Sequence, residues 1–206
     1  MLKKVYEILL NRFGPQGWWP VYSKNKKYEI CIGAILTQNT AWNNVEKALS
    51  NLRKDNLLEP KEILRISEKK LKRLIKPAGF FNQKAKRIKR FTKFFLDNPD
   101  PTREELLAIK GIGPETADSI LLYAFNKPEF VIDAYTKRIF SRFGLIKTQK
   151  YSKIKLLFEK RIKKDVKIYK EYHALIVKLA KEYCRKKPVC ERCPLKNICK
   201  KTESSH

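Results

Sequence analysis

The stretch that decides the fold is Leu106–Ala117, LLAIKGIGPETA, in which two glycines separated by one residue lie between two helix-type apolar patterns. Glycines let the backbone approach an oxygen atom closely, and Pro114 suits the first turn of a helix. The helix that follows offers unpaired N–H groups and the positive end of its dipole, so the layout predicts a phosphate-binding hairpin. A tight turn between two helices is the alternative interpretation. The residues expected to bind phosphate are Lys110, Gly111, Ile112 and Gly113.

Apolar residues recur at helical spacing along most of the chain, and alternating runs flanked by hairpin turns are missing. The sequence therefore predicts an all-α protein. Thr102 precedes a helix with an acidic first turn, and Ser67 can cap the helix that begins at Glu68. The predicted helices are Leu2–Phe13, Tyr28–Thr37, Trp42–Asn51, Glu68–Ile75, Gln83–Leu96, Arg103–Ala108, Glu115–Phe125, Ala134–Phe143, Ser152–Ile162 and Val166–Tyr183.

The charge balance is strongly basic, with 47 Lys and Arg against 21 Asp and Glu and a net charge of +26. A compact chain this basic repels itself, and nucleic acid is the usual compensating partner. A membrane is disfavoured because the most apolar window, Ile30–Leu36, is far shorter than the roughly 18 residues of a spanning helix. Glu7 and Arg12 interrupt the apolar residues where a signal peptide would need them. We therefore expect a monomeric cytoplasmic, nucleoid-associated protein that binds double-stranded DNA.

A single carboxylate, Asp133, ends the apolar run that contains Val131 and Ile132 and precedes a helical pattern. One interpretation is a helix N-cap. The other is a carboxylate held in a partly desolvated cleft beside DNA, where it stabilises positive charge on a sugar or activates water. One residue can do both.

Four of the five cysteines lie close to the C-terminus with the spacing C-x5-C-x2-C-x5-C. Disulfides are rare in a reducing cytosol, so the cluster indicates a metal site. Four thiolates can bind a zinc ion or an iron–sulfur cluster, and the spacing does not decide between them. The candidate ligands are Cys184, Cys190, Cys193 and Cys199. The fifth cysteine, Cys31, is interpreted as a small core residue.

The chain resembles the helix-hairpin-helix base-excision DNA glycosylases of the endonuclease III superfamily, from about residue 28 to residue 199. The resemblance implies two helical lobes with a DNA-binding cleft. We expect residues 22–127 to form the lobe with the hairpin, residues 1–21 and 128–200 to form the lobe with the cysteines, and residues 201–206 to be a frayed tail. The segments that carry the resemblance are Ala34–Thr40, Gly79–Ala85, Gly111–Gly113, Val131–Asp133 and the terminal cysteines.

The resemblance also implies roles for several residues. Asp133 corresponds to the essential aspartate of the family. The four terminal cysteines correspond to the ligands of a [4Fe-4S] cluster, although the first interval has five residues here instead of the commoner six. A cluster that folds this loop would present its cations to DNA phosphates, and a solvated face is the alternative. The cations assigned to DNA in this loop are Arg185, Lys186 and Lys187.

Glu115 departs from the pattern of the bifunctional enzymes, which carry a lysine two residues after the second hairpin glycine. That lysine forms a Schiff base with the sugar, and a carboxylate cannot. The resemblance thus implies base release by hydrolysis without an efficient lyase step. Lys110 and Lys137 are close in sequence but do not occupy the matching position. Glu115 could instead be an ordinary acid in a solvated first turn.

The segment GPQGWWP at residues 14–20, together with LTQNT at residues 36–40, resembles the 3-methyladenine DNA glycosylases related to endonuclease III. Aromatic faces stack on a flipped base and attract a cationic one. The alternative for the aromatic residues is core packing. The predicted base pocket consists of Trp18, Trp19, Pro20, Trp42 and Glu115. The expected substrate is an alkylated purine. The alternatives are an oxidised or mismatched base with lyase activity, and a DNA-binding module without catalysis.

Gln38 and Phe80 match positions where family members insert side chains into the duplex to fill the gap left by the flipped base. Their alternative interpretations are a polar residue at a helix end and a core aromatic. His173 lies in an apolar helical pattern and is predicted to be a core histidine, while His206 lies in the tail.

Overall fold

The computed structural model describes residues 1–200, which contain eleven α-helices and two short 3₁₀ helices. The all-α prediction is confirmed. Residues 201–206, predicted to be a frayed tail, lie outside the described residues. The helices are α1 (Leu2–Phe13), α2 (Lys26–Leu36), α3 (Trp42–Lys54), α4 (Pro60–Arg65), α5 (Glu68–Leu74), α6 (Phe81–Asp97), α7 (Arg103–Ala108), α8 (Pro114–Ala124), α9 (Ala134–Arg142), α10 (Tyr151–Glu159) and α11 (Val166–Glu182), and the 3₁₀ helices are Lys76–Ala78 and Lys196–Ile198.

All ten predicted helices are present, and α1 and α7 have the predicted bounds. The capping predictions also hold, because Ser67 accepts a hydrogen bond from the Lys70 N–H and Thr102 forms a capping box with Glu105. The sequence analysis missed α4. That helix has six residues and begins with a proline, so it is too short for an apolar period to be visible.

The chain divides into two compact units. One, here called the central unit, is Trp19–Lys127, and the other, called the terminal unit, joins Met1–Trp18 to the residues from Pro128 onward. No helix within residues 1–200 is both long and apolar enough to cross a membrane.

The central unit is built around α2, whose residues from Tyr28 to Leu36 are all buried. A helix that is apolar on every side must be covered on every side, and α2 packs against α3, α6 and α8. Two of its buried polar side chains are hydrogen-bonded: the Tyr28 hydroxyl lies 2.6 Å from Thr92 Oγ1, and Glu29 Oε2 accepts from the backbone N–H groups of Tyr22 and Ser23. This helix therefore fixes the segments on either side of it.

In the terminal unit α11 packs against α1 and α9. The core is aromatic, and the Tyr172 hydroxyl donates to the Leu2 carbonyl at 2.9 Å, which ties α11 to the N-terminus of the chain. The rings in mutual contact are Phe130, Phe140, Phe158, Tyr169 and Tyr172.

Candidate functional site

The glycine hairpin forms between α7 and α8 as the sequence predicts. Gly111 has φ +99°, and the Ile112 N–H closes the turn on the Ile109 carbonyl at 2.9 Å. Both isoleucines are buried, whereas Gly113 is exposed and is the N-cap of α8 without a side-chain cap. The first N–H groups of α8 are therefore presented beside an exposed backbone, which suits a phosphate oxygen.

Gln38 contacts this hairpin directly. Its Nε2 donates to the Gly111 carbonyl at 3.0 Å and to Thr116 Oγ1 at 2.9 Å, and its Oε1 accepts from Arg87 Nη1 at 2.5 Å. A Cβ atom at Gly111 would lie 2.6–2.9 Å from the Arg87 side chain. Gly111 is therefore required both for its positive φ and for the close approach of Arg87, a contact that the sequence analysis did not find.

Phe80 is an exposed aromatic in a left-handed backbone conformation, with φ 45° and 60% of the side chain exposed. The core-aromatic alternative is therefore wrong. Phe80 is the N-cap of α6 and follows Gly79, which also has a positive φ of 65°. The wedge interpretation remains a prediction, and the geometry provides the protruding apolar side chain that it needs.

Asp133 is the N-cap of α9, as one interpretation proposed. Its Oδ1 accepts from the Thr136 N–H at 2.7 Å and from Thr136 Oγ1 at 2.8 Å, while Oδ2 lies 3.4 Å from His173 Nε2. Burial acts to raise the pKa of Asp133, but the hydrogen bonding and charge of His173, together with the two Thr136 bonds, hold that pKa below its usual value. The carboxyl group therefore stays ionised although only 13% of the side chain is exposed.

His173 is buried, as predicted for a core histidine, but it also lies next to the Asp133 carboxylate. On its other side it stacks with Trp18, with ring centroids 5.7 Å apart. The terminal unit thus brings together a carboxylate, an imidazole and an indole. No sequence signal marks this contact, because forty residues separate Asp133 from His173 and a buried helical histidine has no pattern of its own.

Trp19 and Trp42 meet in the central unit in an edge-to-face arrangement, with centroids 5.0 Å apart. Trp19 also packs on Tyr123, with ring centroids 5.1 Å apart. It lies so close to α2 that a Cβ atom at Gly33 would be 3.1 Å from Trp19 Cζ2. Both indoles and Pro20 stay partly exposed. The aromatic cluster around Trp19 is therefore partly packed into the core and partly open to solvent. Tyr123 and Gly33 also belong to this cluster, and neither was predicted from the sequence.

Glu115 is exposed in the first turn of α8, one residue after Pro114. A carboxylate at this point is favoured by the helix dipole. Lys110 is also exposed, and its carbonyl accepts from Arg90 Nη1 at 2.7 Å. Lys137 lies in α9, one turn after Asp133, and is partly exposed.

The four terminal cysteines line one cavity, together with Val189, Leu195 and Arg142. Burial, followed by the charge of the other three thiols, raises the pKa of Cys193 to about 11. Within residues 1–200, however, no group of three or more His, Cys, Asp or Glu side chains is arranged to hold a metal ion. The residues thus fit a four-thiolate site in number and location, but their sulfurs are not arranged as a closed coordination shell.

Two arginines in the C-terminal half of α9 contact the cysteine loop. Arg138 Nε donates to the Cys184 carbonyl at 2.9 Å, and Arg142 Nη1 lies 3.3 Å from Cys184 Sγ. Arg142 also donates to the carbonyls of Arg185 and Lys186, at 2.6 and 2.9 Å. The side chains of the three predicted DNA-binding cations in this loop, Arg185, Lys186 and Lys187, are exposed. Cys31 is buried in α2 as predicted, and burial raises its pKa.

The family model for HhH-GPD superfamily base excision DNA repair proteins matches residues 32–164, a range that contains the hairpin and Asp133. The chain belongs to this superfamily. A protein of Methanocaldococcus jannaschii named "Putative DNA repair glycosylase" is 53% identical over 97% of this chain and 96% of its own length. The endonuclease III of Thermotoga maritima is 29% identical over 97% of this chain and 92% of its own length.

Two solved structures are also similar to this chain. The 3-methyladenine DNA glycosylase of H. pylori, crystallised with 1,N6-ethenoadenine, is 32% identical, with a TM-score of 0.74 over 88% of this chain and 95% of that chain. Endonuclease III in a non-covalent DNA complex has a TM-score of 0.83 over 98% of this chain and 95% of that chain at 20% identity, so that likeness concerns the fold. The similar proteins thus include a 3-methyladenine DNA glycosylase and endonucleases III.

Proposed function

We propose that this HhH-GPD protein hydrolyses the N-glycosidic bond of an alkylated purine of the 3-methyladenine type in double-stranded DNA, without an efficient lyase step. The observation that carries the proposal is the ionised, mostly buried Asp133 carboxylate beside His173, inside the matched family region. The 32% identity to a 3-methyladenine DNA glycosylase supports the substrate class. The aromatic surface of Trp19 and Trp42 supports it independently.

Asp133 would stabilise the oxocarbenium-like sugar as the base departs and would guide the attacking water. Thr136 occupies Oδ1 with two hydrogen bonds, so Oδ2 is the atom with capacity for this work. His173 would hold the carboxylate in its rotamer and keep it ionised. An alkylated purine already carries positive charge and leaves readily, so the reaction does not require a strong general acid.

The pocket residues would recognise the base by stacking and charge. Aromatic faces attract a cationic base through their negative quadrupole, which favours alkylated over neutral purines. Trp19, Pro20 and Trp42 would supply this surface in the central unit, and Glu115 would add negative charge. Because Glu115 stands where a Schiff-base lysine would be needed, hydrolysis is the expected outcome.

The protein would hold DNA through its own backbone N–H groups and through its basic side chains. The exposed N–H groups at the start of α8 would bind a phosphate beside the extruded nucleotide, with Lys110 adding charge, and Lys137 in the terminal unit would also bind DNA. Phe80 and Gln38 would enter the duplex and fill the gap left by the flipped base. The cations of the cysteine loop would bind phosphates further along, so binding should weaken steeply with salt.

The four terminal cysteines would hold a [4Fe-4S] cluster, whose bound iron would fold the loop and fix its cations. Their shared cavity and the family resemblance support this assignment. Iron and acid-labile sulfide analysis of the purified protein tests it, with about four of each per chain expected. A colourless protein that contains zinc would contradict it.

The substrate assignment is tested by a panel of duplexes, each with one defined lesion, assayed for free base and for strand cleavage. The proposal predicts release of alkylated purine from otherwise intact strands. The second candidate, an endonuclease III-type glycosylase and lyase, is favoured by the 29% identity to the Thermotoga maritima enzyme. Release of oxidised pyrimidines with strand cleavage would replace the proposal by that candidate, and binding without release of any base would indicate a non-catalytic module.

A further inference from the structure

Lys84 of α6 is a lysine whose side chain is fully buried, with 0% exposure. No carboxylate within residues 1–200 forms an ion pair with it. Its Nζ instead donates three hydrogen bonds, to the Leu36 carbonyl at 2.7 Å, Thr40 Oγ1 at 2.7 Å and the Ala78 carbonyl at 2.8 Å. Burial, with the charge of Arg87, lowers its pKa to about 8. Burying a charged group without an ion-pair partner costs free energy, which the three hydrogen bonds of Lys84 Nζ must offset.

The three acceptors come from two segments that are distant in sequence. Leu36 and Thr40 flank the turn that carries Gln38, and Ala78 ends the 3₁₀ helix just before Gly79 and Phe80. The Thr40 hydroxyl adds a second link, because it donates to the same Ala78 carbonyl at 2.5 Å. The ammonium group therefore joins the Gln38 segment to the Phe80 segment at a single point.

Phe80 needs such support. A bulky residue in the left-handed region is strained and persists only where its surroundings hold it. The Phe80 carbonyl accepts the Lys84 backbone N–H at 3.0 Å, and two residues before Phe80 the Ala78 carbonyl accepts from Lys84 Nζ. Lys84 thus holds the backbone on both sides of the exposed ring.

We infer that Lys84 is a positioning residue, which holds Phe80 in its protruding conformation and couples it to the Gln38 segment so that the ring enters the duplex in one orientation. The inference rests on the proposed function, since it takes Phe80 as the residue that fills the gap left by the flipped base. The partner on which Lys84 acts, through Phe80, is the DNA duplex. The expected signature is a loss that appears only when the enzyme must open paired DNA.

Lys84→Met tests this with Lys89→Met as a matched control. Lys89 lies on the same helix, and its Nζ also caps carbonyls, those of Leu64 and Ile66. Both variants should lose stability. Only Lys84→Met should slow single-turnover excision from a paired duplex, by about 10-fold, because a misplaced group costs one to two orders of magnitude. Excision of the same lesion from a single-nucleotide bulge should stay within about 2-fold of wild type.

A double-mutant cycle with Phe80→Ala separates positioning from general damage. If Lys84 acts through Phe80, adding Lys84→Met to Phe80→Ala should slow duplex excision no further. Multiplied losses, or equal slowing of duplex and bulge, would overturn the inference. If Lys84→Met does not fold, Thr40→Val removes one acceptor and keeps the cation, and it should show the same duplex-specific loss in weaker form; equal effects on duplex and bulge would again contradict the inference.

A readout without catalysis keeps this test separate from the proposed function. Wild type and variants are bound to a duplex with an abasic-site analogue opposite 2-aminopurine, whose fluorescence reports insertion of a side chain. Wild type and Lys89→Met should change the fluorescence equally, and Lys84→Met should do so less. If wild type releases no base from any lesion, the proposed function fails while this comparison still decides the role of Lys84.

Discussion

The surroundings of Asp133 in the terminal unit and the exposed segments of the central unit are built in opposite ways. At Asp133 the groups in contact are buried side chains, Thr136 and His173, that hold one carboxylate ionised. At the hairpin the exposed part is backbone, held from beneath by Gln38 and Arg87. The difference teaches that the chemistry depends on the identity of a side chain, whereas phosphate binding depends on the shape of a main chain.

The positive charge is divided in a similar way. Four basic side chains of α6 point to protein acceptors: Lys84 to two carbonyls and a hydroxyl, Arg87 to the side-chain oxygens of Gln38 and Gln83, Lys89 to two carbonyls, and Arg90 to the Lys110 carbonyl. The cations of the cysteine loop and Lys110 are exposed. These four basic side chains of α6 are therefore bound within the protein, whereas the exposed cations are the ones that we propose bind DNA.

The largest expected effect tests the carboxylate. Asp133→Asn keeps the N-cap of α9 but removes the charge, so base release should fall by about 10³-fold. Asp165→Asn is the matched control, because Asp165 caps α11 in the same manner, accepting from the Ile168 N–H at 3.0 Å. Single-turnover excision measures both variants, and DNA affinity should stay within a few fold for each. Full activity of Asp133→Asn would refute the assignment.

The next effect tests the main chain of the hairpin. Gly111→Ala must place a Cβ within 2.6–2.9 Å of Arg87 at φ +99°, so we expect DNA affinity to fall by about 10-fold. Gly14→Ala is the control, because its φ of +68° also disfavours a side chain while nothing lies within 4 Å of a Cβ there. Fluorescence anisotropy on undamaged duplex gives both affinities. Equal affinities for the two variants would show that the hairpin does not depend on this close approach.

The sequence was sufficient to predict the position of the hairpin and the place of Asp133 at the start of a helix, because local patterns define both. The hairpin is marked by glycine spacing, and Asp133 is an acid between an apolar run and a helical pattern. The contact of His173 with Asp133 and the contact of Gly33 with Trp19 were not predicted, because each joins residues that are distant in the sequence. Lys84 was missed for another reason, since a lysine that caps buried carbonyls has the same sequence pattern as a solvated one.

A smaller effect tests the aromatic surface of the central unit. Gly33→Ala would put a methyl group 3.1 Å from Trp19, so the indole must shift away from α2. We expect kcat/KM on alkylated purine to fall by about 3- to 10-fold, with little change on the affinity for undamaged DNA. The tryptophan emission spectrum should shift as well. An emission shift without a change in kcat/KM would remove Trp19 from the base pocket.

The last effect concerns the pH dependence of stability rather than activity, and it tests Lys84. Its pKa is about 8 in the folded protein and near 10.4 when unfolded, so between these values the unfolded chain binds more protons and stability rises with pH. Relative to Lys84→Met, wild type should gain about 2 kcal/mol of unfolding free energy from pH 7 to pH 9.5. Urea unfolding at the two pH values measures this difference. A constant difference would contradict the lowered pKa.

The most direct test of the central claim, hydrolysis without an imine intermediate, is a single reaction on alkylated duplex DNA divided between two quenches. One half is treated with alkali to count abasic sites, and the other with sodium borohydride to trap any Schiff base. The account predicts abasic sites equal to the free purine released and no covalent protein–DNA complex, since Glu115 cannot form an imine. A trapped complex that grows in step with base release would contradict it.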